Sequence, residues 1–558
     1  MKVNAWQQVV AALEAEGIPF VFGLPGGAKH LYDALYDAQH VRPVLVRHET
    51  SGAFMAMAYA RVSGQVGCCF GCPGPGVANL VPGILEAYSG CIPVLALGVR
   101  ASTRTEGMGA FQEADHVGMM TPITKWAVTV ERADRVAWTI RRAISIATTG
   151  KPGPVYVEIP ADIALEEVEP TPYQPADRSV RPAPDPERIE AALDLIEQAA
   201  RPVLVCGGGA VLSRATAEVE GIADALGIPV LVTPAGRGII SEDHPLFCGS
   251  VGLYRTEFPK AVYQEADLLI TVSSRMEEFQ SGVWHYFPEG ARFIQIDIDP
   301  FELGRNWVPD VAIQSDAALA LDALLRGATR RGLRADMARV EDLRARRAEA
   351  IARAAEDAQD DSSPVKGKRI VHSVNRVFGD NTILVLENGA QDLAAYYWPY
   401  YQVKDAGCVV PPAEQTVMGL GVVGAIGAKL ARPDRQVVCT TGDGAFQMGM
   451  HEIVTAVQEK APVTWVVFND GALGWPRWTQ QTALGGRVIA TEFTATFDFV
   501  TVARAAGCWA VRVERAEDLD AALQAARDAN RAGQPAVVDV AVDPTEHHPG
   551  FYEFHRLR

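Results

Sequence analysis

The chain has 558 residues, enough for about three domains, with the 48% hydrophobic and 21% charged content of an ordinary large globular protein. A net charge of −17 argues against a general binder of nucleic acid or anionic membrane, although it leaves room for a local basic pocket. Nine cysteines in this length make no disulfide framework and imply a reducing compartment; the N-terminus reads as an amphipathic helix rather than a signal peptide, and no run approaches transmembrane length, so the expectation is a cytoplasmic protein.

Residues 1–165 alternate helices and strands. Ala5–Glu16 carries Val9, Ala12 and Leu13 at helical spacing and stops at Gly17. Pro19–Gly23 is a short strand running into Leu24-Pro25-Gly26-Gly27, a turn that lets another group approach the backbone closely. Val41–Arg47 is the next strand, followed by His48-Glu49 and a small-residue helix, Ser51–Arg61. Glu49, where a buried strand becomes an Ala- and Met-rich helix, is either a helix cap or a functional acid. Val66–Gly71 leads into Pro73-Gly74-Pro75-Gly76 and a helix entered near Asn79, and Pro154–Ile159 closes the block. Cys69-x-x-Cys72 has no second pair at zinc spacing, so buried strand thiols are expected.

Prolines at 170, 172, 175, 182, 184 and 186 mark a linker. A second α/β block spans 187–328, with strands at Arg201–Cys206, Asp267–Val272 and Arg292–Ile298. Its Gly207-Gly208-Gly209 turn is a weak nucleotide signal. Gly327–Asp361, rich in Arg, Ala and Glu, reads as a solvated connecting helix without nucleic-acid meaning.

The third block, 366–545, begins with the strand Ile383–Leu386 and the turn Glu387-Asn388-Gly389-Ala390-Gln391. Val417-Met418-Gly419 follows, and Met418 could be simple core. Then come strand Gln436–Thr441, turn Gly442-Asp443-Gly444, helix Phe446–Gln458, strand Val463–Phe468 and the loop Asn469-Asp470-Gly471. Neighbouring strands of a parallel sheet end at one rim, so Asp443 and Asp470 can meet there. Two oxygen ligands beside a glycine turn and a helix N-terminus suit a hard cation holding a diphosphate. The alternative is an ordinary βαβ unit with Asp443 as a helix cap.

Gly-Asp-Gly followed after about two dozen residues by Asn469-Asp470 resembles the thiamine diphosphate (ThDP) motif of the acetolactate-synthase-like enzymes. So do Phe22-Gly23-Leu24-Pro25-Gly26-Gly27, Val46-Arg47-His48-Glu49, Gly74-Pro75-Gly76-x-x-Asn79 and Ala110-Phe111-Gln112-Glu113-Ala114-Asp115, in order and spacing. The resemblance covers about 1–545. It implies an α/β protein of three doubly wound parallel-sheet domains: pyrimidine-binding (1–165), central (187–328) and diphosphate-binding (366–545), with 546–558 as a tail.

By that resemblance Glu49 hydrogen-bonds N1′ of the aminopyrimidine and activates ThDP. Gly26, Pro75 and Asn79 line the cofactor, and Phe111, Gln112 and Lys125 face the substrate. Gly389, Ala390 and Gln391 meet the diphosphate. The Thr416 carbonyl takes the amino group, and Met418 wedges under the cofactor. Gly442, Asp443, Gly444, Ala445, Asp470, Ala472 and Leu473 complete the cofactor set, with Asp443, Asp470 and the Ala472 carbonyl as ligands of Mg²⁺. The family usually has Asn where this chain has Asp470, and Pro411-Pro412-Ala413-Glu414-Gln415 replaces a Gly-rich stretch.

The implied chemistry is carbanion formation at C2 and the making or breaking of a C–C bond beside a carbonyl. The donor is a 2-oxo acid, as in acetolactate synthase. The alternatives are an acyl-CoA, as in 2-hydroxyacyl-CoA lyase or oxalyl-CoA decarboxylase; sulfoacetaldehyde; or a catalytically dead regulatory subunit, against which Glu49, Asp443 and Asp470 stand intact. Ser274-Arg275-Met276-Glu277-Glu278-Phe279 departs from the flavin-binding version of that stretch, which argues against FAD; ADP or another nucleotide in the central domain stays open. A homodimer or homotetramer with active sites between subunits is implied. The tail holds three aromatics and three histidines within 547–555. It is either surface packing or a lid, with Trp475, Trp478, Tyr552 and His555 as candidates near the substrate.

Overall fold

Short runs of Val, Leu and Ile bounded by glycine or proline become strands buried on both faces, as a parallel sheet requires. Pro202–Cys206, Leu268–Val272 and Thr382–Leu386 are buried at every position. The computed structural model describes residues 2–557 except 28, 179, 391 and 406, and only the backbone of Lys29, Asp392, Pro549 and His555.

Three six-stranded sheets result, with parallel pairing throughout and helices alongside. The first holds β1 (Phe20–Gly23), β2 (Arg42–Leu45), β3 (Gly67–Gly71), β4 (Val94–Arg100), β5 (Trp126–Thr129) and β6 (Val155–Pro160), in the order β2-β1-β3-β4-β6-β5. The second holds β7 (Pro202–Cys206), β8 (Val230–Val232), β9 (Phe247–Ser250), β10 (Leu268–Val272), β11 (Arg292–Asp297) and β12 (Val311–Gln314), ordered β12-β11-β10-β7-β8-β9. The third holds β13 (Thr382–Leu386), β14 (Val409–Val410), β15 (Gln436–Gly442), β16 (Thr464–Asn469), β17 (Trp509–Val513) and β18 (Ala536–Ala541), ordered β14-β13-β15-β16-β18-β17.

The chain divides into two compact units. One contains 1–180 with 412–434 and 448–462, hence the first sheet and the helix Leu420–Ala431. That helix lies on Glu49–Ser63: a Cβ at Gly427 would strike the Met55 carbonyl, and one at Gly424 would sit 3.2 Å from Ala58 Cβ. The other unit contains 181–411, 435–447 and 463–558, hence the second and third sheets.

Three elements depart from expectation. The helix expected near Asn79 starts at Pro75, because proline's fixed φ suits the first helical position. The single helix expected over 327–361 is two, Ala317–Arg331 and Met337–Asp357; Gly332 (φ 70°) ends the first and Asp336 caps the second. The helix expected over Phe446–Gln458 begins at Asp443 and is interrupted after Gly449, where a Cβ would lie 2.8 Å from Val422. Among the described residues no helix is long and apolar enough to cross a membrane.

Candidate active site

In the first unit, Glu49 opens the helix Glu49–Ser63 and is buried. The cap is its neighbour, His48, whose ring accepts from Thr50 N at 3.3 Å, so Glu49 is released from capping. Its Oε2 accepts from Asn79 Nδ2 at 2.9 Å, and a Cβ at Gly76 would stand 3.1 Å from Oε1. Glu49, Gly76 and Asn79 are thus brought together. Buried Glu452 holds the backbone just before Glu49, accepting from Arg47 N (2.7 Å) and His48 N (3.2 Å).

The turn ahead of Pro75 is held by a second buried group. His116 Nε2 accepts from Gly74 N at 2.8 Å, and its Nδ1 faces Glu158 Oε2 at 3.0 Å. Since Nε2 accepts, the ring proton lies on Nδ1 and points to the carboxylate. Thr129 and Tyr156 hydroxyls also donate to Glu158. The Phe111 ring is exposed, and Gln112 (φ 58°) packs its backbone against Gly74. Gly26 is exposed, yet a Cβ there would crowd Cys72 Sγ at 2.5 Å. All nine cysteines are free, and Cys68 and Cys69 are buried. Lys125 lies apart from this cluster: its ammonium bonds the Ile146 and Thr149 carbonyls at the end of the helix Val136–Thr148.

The segment 412–419 belongs to the same unit and is held by the helix Pro75–Ser89. Ala413 N donates to Glu86 Oε1 at 2.5 Å, and Glu414 N to Ser89 Oγ at 3.1 Å. Thr416 adopts φ 46°, the left-handed region, and Met418 is half-buried.

In the second unit, β15 ends in Gly442 and β16 in Asn469, which sets their loops side by side. Asp443 is buried; its Oδ1 accepts from Gly444 N (2.9 Å) and its Oδ2 from Gly471 N (3.0 Å). Burial, reinforced by the Asp470 charge, pushes its carboxyl up to about 7. Asp470 Oδ2 accepts from Arg477 Nη2 at 2.5 Å. Ala472 and Leu473 follow directly, anchored by an antiparallel bridge from Ala472 to Glu492 and by Leu473 N donating to Thr491 O at 2.7 Å. Among the described residues no group of three or more His, Cys, Asp or Glu side chains is arranged to hold a metal ion. The donors here are two carboxylates and peptide carbonyls, an all-oxygen set that fits Mg²⁺. The buried charge at Asp443 wants a cation or a proton beside it. Gly442 has nothing within 4 Å of its Cβ position, so a diphosphate can approach that turn.

Gly389 and Ala390 are half-buried after β13, behind Glu387, whose Oε1 accepts from Asn388 N at 3.0 Å; Gln391 lies outside the described residues. Gly444 and Ala445 are buried within the helix Asp443–Gly449.

Residues 549–557 form a helix, Pro549–Leu557. Phe551 and Phe554 are buried, the first against Trp475 and Trp478 (centroids 3.9 and 3.8 Å), the second stacked on Phe279 (4.9 Å). Glu553 pairs with buried Arg255 at 3.2 Å. Tyr552 is about half exposed, 4.8 Å from the Trp478 ring; the His555 side chain lies outside the description. Trp475 and Trp478 therefore support the tail helix.

At the rim of the central sheet, the Gly207 and Gly209 Cβ positions would collide with or crowd Ser273, so these glycines answer to loop packing. Arg275 is engaged by Glu277 at 2.8 Å, and Phe279 by the tail.

Sequence reasoning missed Glu86, Glu158, His116, Glu452 and Arg477. Glu86 falls outside the apolar stripe of Val77, Leu80, Ile84 and Ala87, so the helical period gave no sign that it is buried.

Three family models match: the thiamine pyrophosphate enzyme N-terminal TPP-binding domain at 3–119, the central domain at 189–324 and the C-terminal TPP-binding domain at 389–540. The chain is 33% identical to the probable acetolactate synthase large subunit of Methanococcus aeolicus, over 97% of its own length and 92% of that protein. It is 32% identical to the acetolactate synthase isozyme 1 large subunit of Escherichia coli K12, over 96% and 94%. To the acetolactate synthase large subunit of Corynebacterium glutamicum it is 33% identical, over 97% and 87%.

Proposed function

Since the chain belongs to the acetolactate-synthase-like thiamine diphosphate enzymes, we propose that it is a Mg²⁺-dependent carboligase or lyase acting on a 2-oxo acid donor. The observation that carries this is Glu49, buried, relieved of capping by His48 and bonded to Asn79, in a chain whose relatives over nearly its whole length are acetolactate synthases.

When bound, ThDP supplies the nucleophilic carbon and the electron sink. Glu49 holds the proton at N1′ of the aminopyrimidine, with Asn79 fixing the carboxylate. Thr416 and Met418 orient the ring, and Phe111 and Gln112 face the donor. Asp443, Asp470 and the Ala472 carbonyl would hold Mg²⁺ on the diphosphate, and the turn after β13, with Gly389 and Ala390, would meet that diphosphate. Arg477 offsets the extra charge that Asp470 brings over Asn. The working form is a dimer or tetramer, because Glu49 serves cofactor held by a second copy.

Flavin has no part in this reading. Arg275 pairs with Glu277 and Phe279 stacks on Phe554 of the tail, which supports a flavin-free central domain.

The test is a donor panel with the ThDP–Mg²⁺ holoenzyme: pyruvate, oxalyl-CoA, a 2-hydroxyacyl-CoA and sulfoacetaldehyde. Turnover of pyruvate above the others supports the reading, and turnover confined to a CoA thioester refutes the 2-oxo acid donor.

A further inference from the structure

We propose that Glu86 is a positioning residue: its carboxylate clasps the backbone of 413–417 and so sets Thr416 and Met418 for the cofactor. The cofactor half of this statement rests on the proposed function; the clasp itself does not.

Glu86 lies on the helix Pro75–Ser89 with no solvent exposure. A buried carboxylate is costly unless hydrogen bonds satisfy it. Here the bonds come from backbone amides of one short segment, Ala413 N at 2.5 Å on Oε1 and Val417 N at 3.5 Å on Oε2. The first is short and strong, the second at the edge of bonding distance. Between these amides the chain turns, with Thr416 N donating to Ala413 O at 3.1 Å. Thr416 at the turn is a β-branched residue at φ 46°, where L side chains are strained unless the surroundings hold them. Ser89 Oγ, one turn further along the helix, takes Glu414 N. A single helix face therefore accepts three of the segment's amides.

Glu86 lies off the stripe of Val77, Leu80, Ile84 and Ala87, and an apolar side chain at this buried position would carry no desolvation cost. The acid does what an apolar side chain cannot, holding the two peptide N–H groups of Ala413 and Val417. Burial pushes the Glu86 carboxyl up to about 7, while the Ala413 and Val417 amides pull it back down.

The experiment compares wild type, Glu86→Gln, Glu86→Ala and Ser89→Ala. Hydrogen exchange followed by mass spectrometry is read on the apo protein for the peptide covering 411–418. ThDP affinity and pyruvate kinetics are read on the holoenzyme. Loss of a charged hydrogen bond predicts exchange faster by about tenfold or more in Glu86→Ala, with a smaller change in Glu86→Gln. ThDP Kd should rise and kcat fall by a similar factor while the pyruvate KM stays within about twofold, because the clasp acts through the cofactor. Ser89→Ala, which removes no charge, should move the same readings in the same direction by less. Unchanged exchange in the Glu86 variants overturns the clasp. Faster exchange with unchanged ThDP Kd and kcat overturns the positioning role. If wild type binds no ThDP, the functional reading fails, and the apo exchange still judges the clasp.

Discussion

The Asn79 side-chain amide donates to Glu49 Oε2 across 2.9 Å, linking the helices that follow β2 and β3, the two strands that flank β1. Oε1 lies beside Gly76, 3.1 Å from where a Cβ would stand. We expect Glu49→Gln to lower kcat by about 10²–10⁴, the worth of a positioned proton-transfer group. ThDP occupancy and far-ultraviolet circular dichroism should persist. Asn79→Ala should give a smaller loss, since the carboxylate remains but swings free. Turnover near wild type in Glu49→Gln would remove this residue from the mechanism.

At the other strand ends, Asp443 joins two loops through the Gly444 and Gly471 amides. Asp443→Ala should therefore lose Mg²⁺-dependent ThDP retention, and Asp443→Asn should lose most of it while keeping the loop bonded. Calorimetric titration of ThDP with and without Mg²⁺ decides. An unchanged Kd in Asp443→Ala would show that the metal sits elsewhere.

Glu86 gives a pH signature with two opposite signs. Its folded value, about 7, lies above the ordinary 4.5, so the folded state holds this proton more tightly than the unfolded chain does. That stabilisation is full below about 4.5 and is lost as pH rises through about 7, with an upper limit on the order of 3 kcal/mol. The denaturation midpoint of wild type, measured against Glu86→Gln, should thus fall between pH 5 and pH 8. Activity should rise over the same range, because only the carboxylate accepts both amides. An acidic limb of kcat/KM near pH 7 that survives unchanged in Glu86→Gln would assign it to another group.

The three-sheet architecture was legible because parallel strands buried on both faces leave continuous apolar runs, such as Val203–Val205 and Ile383–Leu386, between glycine and proline turns. Asp443 and Asp470 could be placed near one another for the same reason, each following closely on the end of such a run. Glu86, His116, Glu158 and Glu452 were hidden. Each answers a backbone amide or a side chain more than 25 positions away, or in another helix, and one sequence contains no period that reports such a bond. The helix break after Gly449 was hidden likewise, since its cause is Val422 on a different element.

A flavin-free protein is the expectation for the central sheet. Purification without added flavin should yield a colourless sample, and incubation with FAD should leave the flavin fluorescence unquenched. A yellow protein, or stoichiometric FAD after dialysis, would mean that the tail helix and the Arg275–Glu277 pair give way to the nucleotide.

The tail divides its aromatics between two tasks. Phe551 and Phe554 are buried, in contact with Trp475, Trp478 and Phe279, so they hold the helix Pro549–Leu557 down. Tyr552 is on the same helix but about half exposed, with its ring edge toward Trp478. Removing everything after Pro544 would mix these roles, because it strips the cover from two tryptophans and leaves buried Arg255 without Glu553. Single substitutions separate them. Phe551→Ala should cost about 3–5 kcal/mol of stability, as buried phenylalanines do, read from the denaturant midpoint at constant m. Tyr552→Ala should leave the midpoint nearly unchanged, since it removes little buried area. If the helix also closes over the substrate, Tyr552→Ala must lower kcat/KM for pyruvate with ThDP affinity retained. A kcat/KM equal to wild type in Tyr552→Ala, beside a destabilised Phe551→Ala, would confine the tail to packing.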